Sequence, residues 1–137
     1  MDKSKKIIIN GMLTEYYKVL PEKIQEIEDK IQMVRSSTVK AVTFDSTPGK
    51  GKTNDQKMVD IIAVLDKYQK RKDYLLKEKK RIGDRLNLNY LTAESGLLLQ
   101  TVFTTKSYAE AGEKLGYSKT QVYRSMEKIY ERLQKNI

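Results

Sequence analysis

The chain has 137 residues, enough for one domain of ordinary size or two very small ones, and contains neither Cys nor His. Their absence excludes disulfides, thiol chemistry, zinc fingers and catalysis by Ser-His-Asp or Cys-His groups. The formal net charge of +9 favours a polyanionic partner.

The first region, residues 5–35, has a helical pattern that Pro21 divides, at a position where the first turn of a helix tolerates Pro. Apolar residues beyond Pro21 recur at spacings of three, four and three, as in a coiled-coil seam: Ile24, Ile27, Ile31 and Val34. Residues 36–55 are predicted to be a linker, with a β-prone run at 39–44.

A second long helix is predicted to begin at the capping box Thr53-x-x-Gln56 and to run to about Asn87. Its seam residues are Ile61, Leu65, Tyr68, Leu75, Ile82 and Leu86. Lys72 and Lys79 occupy the same register, where apolar residues are expected. Two seams joined by one connector predict either a helical hairpin or a coiled-coil dimer, and the sequence leaves both open.

The last region, residues 90–137, is predicted to form three helices. Each helix has a capping residue at its start: Thr92, Ser107 with Glu110, and Ser118 with Gln121. The sequence therefore predicts an all-α fold with two parts. Residues 1–89 form a helical hairpin or dimerisation module, and residues 90–137 form a helix-turn-helix domain.

The spacing between the last two helices is typical of a helix-turn-helix. Gly112 supplies the small residue that two closely crossing helices require, and Gly116 tolerates the left-handed backbone of a tight turn. The apolar residues of the final helix are expected to face the core: Val122, Met126, Ile129 and Leu133.

The other side of the final helix then carries side chains that bind base edges and phosphates. The predicted DNA-binding residues are Ser118, Lys119, Thr120, Gln121, Tyr123, Arg124 and Lys128. Possible phosphate contacts are Lys106, Ser107, Lys50, Lys52 and Arg132. Because one small module usually binds with modest affinity, a homodimer on two half-sites of double-stranded DNA is expected.

The run SYAEAGEKLGYSKTQVYRSMEKIYERLQ resembles the region-four helix-turn-helix of bacterial sigma factors, with Gly112 where that pattern usually has Ala. Two long helices joined by SSTVKAVTFDSTPGKGKTNDQKMVDII resemble phage and prophage late-gene regulators of the RinA, ArpU and LtrC type from low-GC Gram-positive bacteria. This resemblance implies promoter-proximal binding and activation of late genes together with host RNA polymerase.

No carboxylate pair lies beside a plausible nucleophile or in a metal-binding spacing, so the sequence predicts neither an enzyme nor a metal or cofactor site. No apolar run reaches the ~20 residues of a membrane span, which predicts a cytoplasmic protein without a membrane partner. Two alternatives stay open: a DNA-packaging protein like a phage small terminase subunit, and a protein-interaction module that binds a sigma factor or polymerase.

Overall fold

The computed structural model describes residues 2–44 and 54–137, and all regular elements in those ranges are helical. Six α-helices follow one another: α1 (Lys3–Thr14), α2 (Leu20–Phe44), α3 (Asn54–Leu86), α4 (Ala93–Thr104), α5 (Tyr108–Leu115) and α6 (Lys119–Leu133). A π-helical turn (Glu15–Val19) joins α1 to α2, and short 3-10 turns occupy Leu88–Tyr90 and Gln134–Asn136. The predicted all-α fold is confirmed. None of the described helices is long and apolar enough to cross a bilayer.

The predicted linker begins too early, because α2 continues to Phe44. Residues 39–44, predicted to be β-prone, are therefore helical. β-branched residues have only slightly weaker helix propensity than other residues, and extending an existing helix costs far less than nucleating one. The remainder of the linker, residues 45–53, lies outside the described residues, as does Thr53 of the predicted capping box. The end of α3 at Leu86 agrees with the predicted end near Asn87.

Pro21 does not interrupt the first long helical region, because the chain passes into α2 through the π-helical turn. In that turn the backbone N–H of Leu20 donates to the carbonyl of Glu15, five residues earlier. Pro21 has no N–H to donate, and its ring would crowd the carbonyl four residues before it in a regular α-helix. The wider π turn accommodates the hydrogen bond that Pro21 cannot donate. It lies where the sequence predicted that Pro21 divides the helical region.

The described chain forms two compact units. The hairpin unit comprises Glu22–Leu76, and the helix-turn-helix unit comprises Met1–Pro21 together with Lys77–Ile137. All of residues 90–137 belong to the helix-turn-helix unit. That unit also includes residues 1–21 and 77–89, which the sequence analysis assigned to the helical module.

In the hairpin unit, α2 packs against α3 along the predicted seams. Ile24, Ile27 and Ile31 of α2 and Leu75 of α3 are buried. Lys72 lies in the seam register, and its ammonium group forms an ion pair of 3.2 Å with the carboxylate of Glu28. A seam position that appeared unfavourable from the sequence therefore has a charged partner across the hairpin.

The core of the helix-turn-helix unit combines α1 with the helices of the C-terminal region. Fully buried side chains come from α1 (Ile9, Leu13), α3 (Leu86), α4 (Leu99) and α6 (Val122, Met126, Leu133). The π-helical turn contributes two aromatic residues. The ring of Tyr17 stacks on Phe103 with centroids 6.2 Å apart, and the ammonium of Lys79 lies 4.9 Å from the ring centroid of Tyr16. Lys79, the second cation in the seam register, is thus held by a cation–π contact.

The stacked Tyr17 predicts sensitivity to alkaline pH. Burial raises the pKa of its hydroxyl from 10.0 to about 12, and the neighbouring Tyr16 adds to the shift. Because the folded pKa is higher than the unfolded one, the stabilisation is complete below pH 10 and is lost as the pH rises towards 12. Urea unfolding between pH 8 and 11 should show this loss, and Tyr17→Phe should reduce it while leaving stability at pH 8 nearly unchanged. An equal pH dependence in both proteins would contradict the assignment.

Candidate nucleic-acid interface

The turn between α5 and α6 depends on two glycines. Gly116 has φ +77°, a left-handed conformation that glycine adopts without strain. The backbone N–H groups of Gly116 and Tyr117 both donate to the carbonyl of Gly112, the latter at 2.8 Å. A Cβ on Gly112 would lie 2.4 Å from the carbonyl oxygen of Tyr117. The turn therefore folds back directly onto α5, as the predicted roles of both glycines require.

The three predicted caps are present at the starts of α4, α5 and α6. The side-chain oxygens of Thr92, Ser107 and Ser118 accept backbone N–H bonds of 3.1 Å. The carboxylate of Glu110 accepts from the N–H of Lys106 at 3.1 Å. This bond involves the residue before the cap, whereas a standard capping box uses the N–H of the cap itself. The start of each helix is thus determined by local hydrogen bonds.

Helix α6 has one side in the core and one side in solvent. The predicted core residues Val122, Met126, Ile129 and Leu133 are all buried, and Tyr130 is buried with them. The seven predicted DNA-binding residues are exposed: Ser118, Lys119, Thr120, Gln121, Tyr123, Arg124 and Lys128. Among them, Tyr123 is 54% exposed and its ring lies 6.4 Å from that of Tyr108. The apolar side fixes the rotation of α6, so the six of these side chains that belong to the helix share its solvent side, and Ser118 lies at its start.

The possible phosphate contacts are more dispersed. Lys106, Ser107 and Arg132 are exposed, but two of them have structural partners. The Ser107 hydroxyl caps α5, and the Arg132 guanidinium donates to the carbonyl of Tyr90 at 3.1 Å. Lys50 and Lys52 lie outside the described residues. Of this predicted set, Lys106 is the exposed cation that directly precedes the helix-turn-helix of α5 and α6.

Sequence reasoning did not identify the contact of α1 with α6. The ammonium of Lys6 forms an ion pair of 2.5 Å with the carboxylate of Glu127 and lies 5.2 Å from the ring centroid of Tyr130. One turn of α1 after Lys6, Asn10 accepts a hydrogen bond of 2.9 Å from the Tyr130 hydroxyl. These partners are about 120 residues apart in the chain, so no local spacing could have revealed them.

Electrostatics at this contact follows from its geometry. The hydrogen bond to Glu127 raises the pKa of Lys6, because it favours the charged form of the ammonium group. Burial raises the pKa of the Tyr130 hydroxyl, which keeps it protonated as the donor to Asn10. Glu127 lies on α6 close to the exposed basic residues, and Lys6 compensates its negative charge.

The described residues contain no group of three acidic side chains able to hold a metal ion. Within the same ranges, no buried side-chain nitrogen or oxygen lacks a hydrogen-bond partner. The exposed side of α6 is the feature of the helix-turn-helix unit considered below for recognition.

Comparisons of this chain with protein-family models, curated proteins and solved structures found no match. The resemblance to phage late-gene regulators accordingly stays a prediction from the motifs quoted above. Function has to be argued from the geometry of the helix-turn-helix unit.

The close turn predicts that Gly112→Ala destabilises the protein. The new methyl group meets a backbone carbonyl that cannot rotate away, and the expected cost is about 1–3 kcal/mol. Gly11→Ala is the matched control, because a Cβ at this exposed position of α1 has no atom within 4 Å. It should stabilise the helix by about 0.5–1 kcal/mol. Urea unfolding measures both changes, and similar effects at the two positions would show that the turn is not tightly packed.

Proposed function

We propose that this protein is a non-catalytic, sequence-specific DNA-binding regulator of transcription that places α6 in the major groove of double-stranded DNA. The observation that carries the proposal is the two-sided character of α6. Its apolar side is packed in the core, and its exposed side carries six of the seven residues predicted to contact DNA, while the seventh, Ser118, caps the helix. A recognition helix needs this combination, because base edges are read by side chains held in a fixed orientation.

The distribution of charge supports a polyanionic ligand for this unit. The helix-turn-helix unit carries sixteen Lys and Arg residues against nine Asp and Glu residues, so it holds seven of the nine excess positive charges of the chain. The first turn of α6 contains no acidic residue, and its N–H groups present the positive end of the helix dipole. Phosphate attraction of this kind supplies most of the affinity of small DNA-binding units.

The side chains on α6 have complementary roles in this proposal. Arg124 can donate two hydrogen bonds to guanine, and the Gln121 amide can pair with adenine. Lys119 at the start of the helix and Lys128 one turn beyond Arg124 are positioned in the sequence to contact phosphates. Base contacts determine the preferred site, whereas phosphate contacts determine the docking register.

The wider biological role is proposed from the sequence resemblance. A late-gene regulator of a phage or prophage would act in the cytoplasm of a bacterial host, beside RNA polymerase at a promoter. Two copies on adjacent half-sites would provide the affinity that one small unit lacks.

The main test is alanine substitution on the exposed side of α6. A preferred site is first selected from randomised duplexes, and affinity is then measured by fluorescence anisotropy over a salt series. Arg124→Ala should lose about 1–3 kcal/mol of binding free energy and relax specificity at one base pair. Lys119→Ala should weaken binding to all sequences and reduce the salt slope by about one. Lys135→Ala, which removes an exposed cation outside the predicted contacts, should have little effect.

The same experiment separates the alternatives. Unchanged affinity in both α6 variants would contradict the recognition surface, and no binding at low salt would favour a module that binds only proteins. A ring of eight or more copies by light scattering would favour a DNA-packaging role over transcriptional regulation.

A second prediction concerns the compensation of Glu127 by Lys6. Lys6→Met should weaken DNA binding roughly fivefold at low salt, because it leaves a carboxylate without a counter-charge near the phosphates. Adding Glu127→Gln to the Lys6→Met chain should recover most of the lost DNA affinity, and Glu127→Gln alone should increase the affinity slightly. If the double variant stays as weak as Lys6→Met, Lys6 acts by holding α1 in place and not by compensating charge.

A further inference from the structure

A trough runs between α2 and α3 within the hairpin unit. It has a volume of about 650 Å³, and its apolar floor consists of the partly exposed Tyr68 together with Ile27 and Leu75, which are largely buried in the seam. A pair of helices cannot enclose its own seam completely, since each helix buries only the side facing the other. The trough is therefore a place where apolar surface remains available to another molecule.

The rim of this trough is strongly basic. Its charged side chains are Lys23, Glu26, Lys30, Lys67, Lys70 and Arg71, five cations and one carboxylate. Lys70 pairs with Asp66 at 2.9 Å, and the guanidinium of Arg71 lies 5.4 Å from the ring centroid of Tyr74. In the described part of the chain, no ion pair joins a carboxylate to Lys23, Lys30 or Lys67. Three cations around the trough are thus available to an anionic partner.

Both helices contribute lining residues to the trough at helical spacing. Its lining recurs along α2 at Lys23, Ile27 and Lys30, and along α3 at Tyr68, Arg71 and Leu75. The first and last residues of each set are seven positions apart, which corresponds to about 10 Å along a helix axis. Apolar residues lined on both sides by basic side chains are suited to the side of a third helix, which would contact them at every third or fourth residue.

We propose that this trough docks an acidic amphipathic helix of a partner protein. The apolar side of that helix would cover Tyr68 and its neighbours, and its acidic residues would face the unpaired lysines on both rims. The hairpin unit would then be the protein-binding part of the molecule. This assignment is independent of the proposed DNA-binding role of α6.

Two other occupants fit the trough less well. A symmetric dimer that closed it against the same surface of a second copy would bring five cations against five, and like charges across an interface are costly. A DNA backbone would satisfy the lysines but would leave the apolar floor uncovered, because phosphates and sugars offer little apolar surface to it. An acidic helix satisfies both the rims and the floor.

The test uses the full-length protein and three labelled peptides of about four helical turns. The first has Leu residues spaced for one side of a helix and flanked by Glu, the second replaces Glu with Lys, and the third replaces Leu with Ser. Fluorescence anisotropy should show micromolar-range binding of the first peptide only. Equal binding of the Lys peptide or of the Ser peptide would overturn the proposal.

Charge reversal on each rim localises the binding. Lys30→Glu on α2 and Lys67→Glu on α3 should each lower the affinity for the Glu peptide at least about tenfold. Arg35→Glu, an exposed site on α2 outside the trough lining, should change the affinity by less than about twofold. Circular dichroism checks that each variant remains helical. The proposal would be overturned if Lys30→Glu and Lys67→Glu weakened peptide binding no more than Arg35→Glu does.

Competition identifies the other occupants. Light scattering with and without the Glu peptide shows whether the peptide dissociates a dimer, which would assign the trough to a second copy. A DNA duplex is also added to the peptide complexes of the wild-type protein and of the variant with Lys119→Ala and Arg124→Ala. If the duplex displaces the peptide from the wild-type protein only, it acts through α6, and the proposal stands. If the duplex displaces the peptide equally from the wild-type protein and from the variant, the trough binds DNA, and the proposal is overturned.

Discussion

The orientation of α6 depends on one short contact, the approach of the Tyr117 carbonyl to the Cα of Gly112. With no Cβ at Gly112, the chain reverses within three residues, and the left-handed backbone of Gly116 completes the turn. Val122 and Met126 are then directed into the core. Because a helix has one rotation about its axis once its apolar side is fixed, the same contact exposes Lys119, Gln121 and Arg124 together.

The second constraint on α6 comes from α1, at the other end of the sequence. Ile9 and Leu13 are fully buried in the helix-turn-helix unit, and Lys6 and Asn10 on the same helix make polar contacts with Glu127 and Tyr130. Apolar burial provides most of the stabilisation, since exposed ion pairs contribute little. The polar contacts instead determine the register of α1 along α6. They also compensate an acidic residue on a helix whose other exposed residues are mainly basic or uncharged.

The two lysines in the seam register of α3 show how a broken pattern is accommodated in different ways. Lys72 reaches across the hairpin to Glu28, whereas Lys79 lies over the ring of Tyr16. Each contact gives the ammonium group a partner while the lysine side chain stays partly exposed. The seam therefore continues past both positions to Ile82 and Leu86, which are buried.

Local chemistry in the sequence determined the helical fold, the starts of α4, α5 and α6, the turn at Gly116 and the polar side of α6. Each of these depends on residues within four or five positions of one another, such as Ser118 with Gln121. The same reasoning was wrong at residues 39–44, where continuation of α2 outweighs β propensity. Only the tertiary structure decided that α1 packs beside α6 and that Lys6 pairs with Glu127. Those contacts join residues far apart in the chain, and their energy comes from burial that no local spacing records.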